Sequence, residues 1–244
     1  MGFDYQWRNL PSLELECTSE RIAELLDYTG LDRRFFDGKH CLDAGCGTGR
    51  WTWAMMQMGA KVDSFDISKE AIAKCREINP HAYVSDILNL QPAEGYDFVL
   101  CWGVLHHLPN PVAGFQKVAS QVRVGGLLHI MVYHKDTQKP YDHLREIWST
   151  LRSEEEKLDF CRKCATEQGG STVHGWWDAL SPAYNWSFYP GEVRQWFEES
   201  GFEHVTLRRI NLRLRRKYRL AYVPFLTSYN INMIGQKSRP HGRN

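Results

Sequence analysis

A chain of 244 residues, 43% of them apolar, can bury the core of one α/β domain with some decoration and is short for two full domains. With 30 basic and 29 acidic side chains the formal charge is +1, which excludes a global field drawing the protein to nucleic acid or to an acidic membrane surface. Seven cysteines without small-domain spacing read as reduced thiols, no apolar run reaches a membrane-spanning length, and Met1–Arg8 carries no cleavage pattern, so the expectation is a soluble cytoplasmic protein.

Residues 1–36 form an N-terminal arm and helix. From Ser19 to Tyr28 the apolar side chains Ile22, Leu25 and Leu26 recur at helical spacing, and Gly30 ends the run. Before them, Phe3-Asp4-Tyr5-Gln6-Trp7 is an aromatic arm that would pack on a sheet edge.

Residues 37–133 are the core, and Leu42-Asp43-Ala44-Gly45-Cys46-Gly47-Thr48-Gly49 is its organising stretch: strand, tight glycine turn, helix start. Glycines at alternate positions remove the Cβ atoms that would keep a ligand off the turn, and the N–H groups opening the next helix are expected to face that ligand. This implies an adenine-type cofactor. The dinucleotide fingerprint is G-x-G-x-x-G, whereas here the spacing is G-x-G-x-G with Asp43 just before it, which points away from NAD. The spacing predicts a helix over Thr48–Met58 stopped by Gly59, a strand ending at Asp66, and a helix capped by Ser68 with Ile72 and Cys75 inward that ends before Pro80. A further strand is expected to end at Asp86 and another to begin at Tyr96. Asn110-Pro111 opens a helix whose apolar positions Val112, Phe115, Val118, Ala119 and Val122 carry it to Gly125-Gly126, and Leu127–Tyr133 is the next strand. Such alternation predicts a parallel sheet with right-handed crossovers and ligands at the carboxyl ends of its strands.

Residues 134–189 break the pattern. Tyr141–Leu151 and Ser153–Gln168 read as helices, the second opened by a capping box, and an aromatic-dense stretch follows with His174, Trp176, Trp177, Tyr184, Trp186, Phe188 and Tyr189. Residues 190–244 are read as a helix over Pro190–Ser200 and an antiparallel hairpin of Phe202–Ile210 with Tyr229–Gly235, between which runs Arg208, Arg209, Arg213, Arg215, Arg216, Lys217 and Arg219.

The glycine turn with Asp66, Asp86 and the segment Tyr96–Pro109 resembles the four cofactor motifs of the class I S-adenosylmethionine-dependent methyltransferases, over roughly residues 38–133. The opening aromatic arm is similar to that of a group of bacterial small-molecule members, in which this segment often lies over the cofactor. The resemblance implies a single Rossmann-like domain over residues 1–244. Its seven-stranded sheet would be mostly parallel with an antiparallel last strand, with residues 134–189 as substrate lid. It implies S-adenosylmethionine held by the turn residues Gly45, Cys46, Gly47 and Gly49. Asp43 would meet the ammonium of the methionine moiety directly or through water, or else merely cap the turn. Asp66, with Ile67 beside it, would accept from the ribose hydroxyls, and Asp86 with Ile87 would meet the adenine. Cys101, Trp102 and Gly103 would line the far side.

Methyl transfer from a sulfonium is an in-line displacement, so alignment and exclusion of water dominate, and a base is needed only for hydroxyl or protonated nitrogen acceptors. His106 and His107 are the candidate bases, against a purely structural reading in which one of them holds backbone. His134, His174, Tyr184 and Trp186 are the candidate acceptor contacts, and Tyr184 or Trp186 is expected to share a cavity with one of the two histidines. Cys161-Arg162-Lys163-Cys164 has metal-like spacing, but one such pair on a helix is a poor zinc site, and no metal is expected. The leading expectation is an enzyme that methylates a small molecule at O, N or C. RNA methylation through the arginine run and a catalytically silent partner subunit are the alternatives. The lid aromatics must pack on the core, the acceptor or a second subunit, which leaves a homodimer open.

Overall fold

A computed structural model of the protein describes residues 2–10, 17–93, 95–168, 172–208 and 230–239. The arginine run from Arg209 to Arg219, and the proposed strand ends at Ile210 and Tyr229, lie outside these residues. Seven strands form one sheet: β1 (His40–Ala44), β2 (Lys61–Asp66), β3 (Tyr83–Val84), β4 (Tyr96–Trp102), β5 (Val122–Tyr133), β6 (Phe202–Arg208) and β7 (Asn230–Lys237). Their spatial order is β3-β2-β1-β4-β5-β7-β6, parallel from β3 to β5, with β7 antiparallel to both β5 and β6. Chain order reverses outward from β1 to β2 on one side and to β4 on the other, so the crevice for a ligand opens at the carboxyl ends of β1, β2 and β4.

Nine helices are described: α1 (Gly2–Asn9), α2 (Ser19–Thr29), α3 (Arg50–Met56), α4 (Lys69–Cys75), α5 (Pro111–Ala119), α6 (Lys135–Thr150), α7 (Glu154–Glu167), α8 (Val173–Leu180) and α9 (Pro190–Glu199). Strand alternation sorts the core into two layers. Leu42, Ala44, Val99, Cys101, Leu128 and Ile130 face one side, where Phe115, Val118, Val193 and Phe197 of α5 and α9 cover them. Cys41, Phe98 and Leu100 face the other, beneath Ile22, Leu25, Trp51 and Met55 of α2 and α3. A third apolar cluster lies wholly within α6, α7, α8 and the end of α1, built on Trp148, Cys161, Cys164, Trp176, Trp177 and Leu180.

Several boundaries differ from those read in the sequence. The helix after Asn110 stops at Ala119, and Val122 opens β5 rather than closing the helix. Gly125 at φ +79° and the close approach of Gly126 to the Tyr96 carbonyl mark a bulge that shifts the register between β4 and β5. The third strand ends at Val84, and Asp86 instead caps a short 3-10 turn by accepting from Leu88 N–H at 2.9 Å. His134 caps α6 through Asp136 N–H, so that helix starts at Lys135, six residues before the expected Tyr141. Residues 173–180 are helical, Thr172 capping them through Gly175 N–H. All seven cysteines are free thiols, and Cys161 and Cys164 are buried in the apolar cluster of the insertion. Among the described residues no helix is long and apolar enough to cross a membrane.

Phe197 locks α9 to the sheet: it is fully buried, its ring lies 4.9 Å from Phe115 and 5.4 Å from Phe202, and a Cβ on Gly235 would come within 2.8 Å of it. Truncation leaves a cavity that rigid strands cannot close. Phe197→Ala is expected to cost about 3–5 kcal/mol in urea-induced unfolding, and a loss under about 1 kcal/mol would show that α9 is not packed in this way.

Candidate active site

The glycine turn is built by its own backbone. Gly45, Gly47 and Gly49 all take positive φ (+81°, +54° and +96°), a region costly for residues with a Cβ. Gly45 and Cys46 N–H both donate to the Phe65 carbonyl at 2.9 Å, Gly49 N–H donates to Cys46 O at 3.0 Å, and Gly47 N–H donates to Asp66 Oδ2 at 2.9 Å. The amide donors of Gly45, Cys46, Gly47 and Gly49 are thus engaged in folding the turn. A pyrophosphate would need such donors free. What the glycines provide is space: a Cβ on Gly45 would overlap Val104, and one on Gly47 would lie 3.3 Å from the ring of Trp7.

Below the turn, Asp43 is buried and accepts from Thr52 Oγ1 at 2.7 Å, and Thr52 in turn meets Ser64 Oγ at 2.9 Å. Burial pushes the Asp43 carboxyl up to about 6, with the Thr52 hydroxyl and amide pulling it back down. Asp66 stands at the end of β2 with one oxygen accepting from Gly47 N–H and the other from Ser68 N–H at 2.8 Å. Its carboxylate, Ile67, Asp86 and Ile87 line one cleft of about 50 Å3 with Gly45, Phe65, Ser85, Val104 and Leu108. Ile67, 51% exposed, forms an apolar lip beside two acids.

Cys101 and Trp102 do not border that cleft. Cys101 is fully buried in the layer beneath α5 and α9, where desolvation raises its pKa. Trp102, one residue on and so on the opposite face, stacks on His129 at 5.8 Å and leans on Tyr28 and Trp51. After Gly103 the chain turns, and Val104 and Leu108 take the wall expected of them.

His106 is fully buried against Tyr133, ring centroids 3.7 Å apart, and neither ring nitrogen has a hydrogen-bond partner among the described residues. Desolvation lowers its pKa well below the ordinary imidazole value. His107 is half-buried and its Nδ1 meets Tyr184 O at 2.9 Å; burial pushes it down to about 4. The expectation that these rings titrate near neutral pH fails for a physical reason: the packed site disfavours the cation, so both are neutral imidazoles. Trp186 N–H donates to His106 O at 2.9 Å and Trp186 Nε1 to Leu108 O at 3.0 Å. The lid is thus tied to the histidine turn by the Tyr184 carbonyl, the Trp186 amide and the Trp186 indole, while the Tyr184 and Trp186 side chains stay 43% and 47% exposed and do not border the Asp66 cleft. His134 is occupied in capping α6.

The aromatic arm supplies a covering residue that was not singled out as a site residue. Trp7 of α1 lies over Gly47, and α1 is fastened on both sides. Trp7 O accepts from Lys74 Nζ and Arg8 pairs with Glu70 of α4, while Gln6 donates to His174 at 2.6 Å and Tyr5 stacks on Trp177 at 4.5 Å. His174 is therefore buried beneath α1. Of the two placements open to the aromatic arm, it takes the one over the turn. Among the described residues no cluster of three or more His, Cys, Asp or Glu side chains could hold a metal.

A family model described as a methyltransferase domain matches residues 15–207. A ubiquinone biosynthesis O-methyltransferase of Aeromonas salmonicida is 30% identical over 107 residues, 41% of this chain and 45% of that protein. An uncharacterized protein of Synechococcus sp. is 32% identical over 164 residues, 63% of this chain and 36% of that protein. The chain spans less than half the length of these curated relatives. Among solved structures, a complex between the Haloferax volcanii Trm112 methyltransferase activator and a methyltransferase aligns with TM-score 0.59 at 13% identity, covering 98% of this chain and 96% of that one. Magnesium protoporphyrin IX methyltransferase of Synechocystis with bound S-adenosylmethionine aligns with TM-score 0.56 at 16% identity, over 98% and 92%.

The raised carboxyl of Asp43 sets a pH dependence. In the unfolded chain it ionises near the ordinary 3.8, whereas folded it takes up a proton near 6. Its ionised form at pH 7.5 therefore costs stability, and the cost is relieved as pH falls through 6. Between pH 7.5 and 4.5 the native protein should gain about 2 kcal/mol relative to Asp43→Asn. Paired denaturant titrations check this, and a difference between the two proteins that does not move with pH would refute it.

Proposed function

The chain belongs to the class I S-adenosylmethionine-dependent methyltransferase family, and from that premise we propose that it transfers the methyl group of this cofactor to a small-molecule acceptor. The observation that carries the reading is the glycine turn whose donors are already used within the fold, set against an intact carboxylate at the end of β2. Such a turn suits a ligand that brings a nucleoside and no phosphates. Gly45 lets the Val104 wall of the cleft close in, since a Cβ there would overlap it, and Gly47 lets the Trp7 ring lie over the turn. Asp66, its plane fixed by Gly47 and Ser68 N–H, would meet the ribose hydroxyls, Asp86 and Ile87 border the adenine, and Ile67 covers it. Asp43, one layer below, holds the turn and reaches the ammonium through it or through water; a cation there would favour its ionised form.

When bound, the cofactor supplies an electrophilic methyl on sulfur. The rest falls to the chain: hold the acceptor in line, keep water out, and take a proton where the acceptor carries one. His106 has both nitrogens unengaged and sits dry beneath Tyr133. As a neutral imidazole of low basicity it accepts a proton only as the acceptor loses it, so it positions a hydroxyl more than it activates one in advance. The relatives named as O-methyltransferases favour a hydroxyl acceptor. The seven free thiols favour a reducing, cytoplasmic setting.

Calorimetric titration with S-adenosylmethionine and S-adenosylhomocysteine tests the reading, and no heat from either would overturn it. Asp66→Ala should weaken cofactor binding by about 1.5–3 kcal/mol, and an unchanged affinity would show that the ribose lies elsewhere. His106→Ala should leave cofactor affinity nearly unchanged while lowering turnover by about ten- to a thousandfold; full activity in that variant would remove the histidine from the mechanism.

A further inference from the structure

A second cavity, of about 440 Å3, opens in the insertion between α6, α7 and the segment after α8. That is the size of a small-molecule site, roughly 300–1,000 Å3. Trp148 and Leu180 supply apolar wall. The two ionisable side chains that line it, Arg145 and Lys157, are both cations. Ser181 and Asn185 also line it, with Ser181 Oγ and Asn185 Oδ1 turned into buried surroundings rather than toward the cavity.

Arg145 is held in place before any ligand arrives. Its Nε donates to Ala179 O at 3.2 Å, one terminal nitrogen to Gln138 Oε1 at 2.7 Å, and the other to Asp142 Oδ1 at 3.3 Å. These engage three of its five N–H donors. Its side chain is 16% exposed, while that of Asp142 is 68% exposed and does not line the cavity. Lys157 lies over the Trp148 ring, 5.4 Å from its centroid.

We infer that this cavity holds the acidic end of the methyl acceptor, a small molecule carrying a carboxylate on a flat apolar body. The inference rests on the methyl-transfer reading, and the cavity is tied to the histidine turn by the segment that lines it. Asn185 lines the cavity, and its two neighbours are fastened to the histidine turn, Tyr184 O by His107 Nδ1 and Trp186 N–H to His106 O. A planar guanidinium matches a carboxylate in a bidentate fork, and a desolvated cation whose partner is an exposed acid gains from a second anion. Burial also lowers the Arg145 pKa, as expected of a charge short of water, though it remains a cation at any working pH.

The test uses the full chain saturated with S-adenosylhomocysteine and two isosteric probes, 2-naphthoate and 2-naphthamide, titrated by calorimetry with NMR of the tryptophan indole N–H signals. The carboxylate should bind at least about tenfold tighter than the amide, with a shift of the Trp148 indole signal. Lys157→Gln, at the half-buried rim, should reduce that preference to about threefold or less without lowering the melting temperature; Arg145→Gln should abolish it if the variant folds. Equal affinities, no saturable binding of naphthoate, or a preference that survives Lys157→Gln unchanged would each overturn the inference. Failure of S-adenosylhomocysteine itself to bind would instead overturn the methyl-transfer reading, and the acceptor assignment with it, whatever naphthoate does.

Discussion

The fold around the site depends on one dry polar knot. Thr52 donates to Asp43 and meets Ser64, and Asn79 donates to Ser64 at 3.2 Å and to the Val62 carbonyl at 2.8 Å. Four segments, β1, α3, β2 and the turn after α4, are thereby fixed to one another at the point where the chain bends most sharply. In a low-dielectric interior a satisfied network of this kind is rigid, whereas a half-satisfied one is costly. The glycine turn can be open above because it is bound below. Asp66 then extends the same logic one step outward, since its two oxygens tie the turn to the start of α4 and leave the carboxylate plane set.

Much of this was legible in the residues. The glycines at 45, 47 and 49, the Ser68 and Asn110 caps and the strand-helix alternation predict the sheet and the cleft because each is a local rule with a local cause. The misreadings have equally local causes. Val122 continues the apolar spacing of α5 and also suits a strand, and only the bulge at Gly125-Gly126 decides between them. Cys101 and Trp102 are neighbours on a central strand, so alternation sends them to opposite layers, Cys101 fully buried beneath α5 and α9 and Trp102 partly buried against Tyr28 and Trp51. The neutrality of His106 and His107 was not legible, since it depends on burial against Tyr133 and residues 184–186. Trp7 could be read only as part of an aromatic arm with two possible placements, and contacts far along the chain decide between them; Arg145 carries no motif at all.

The insertion is a small core of its own. Tryptophans, two cysteines and leucines from α6, α7 and α8 pack together, and α1 closes over them through Leu10 and Tyr5. The residues that face outward from this cluster are then free to build walls. The 180–186 segment lines the cavity with Arg145 and Lys157 and is hydrogen-bonded to the histidine turn, so the same stretch of backbone serves both.

The docking of α1 also orders the assembly of the molecule in time. Gln6 finds His174 at a separation of 168 residues, and Tyr5 finds Trp177 at nearly the same distance. A helix of eight residues is marginal by itself in water. During synthesis, then, this segment must wait until almost three quarters of the chain has followed it. The sheet from β1 to β5, whose pairings are far more local, can form during that wait. The cover over the glycine turn is therefore among the last contacts to close in folding, and for the same reason among the first to open when the native state fluctuates.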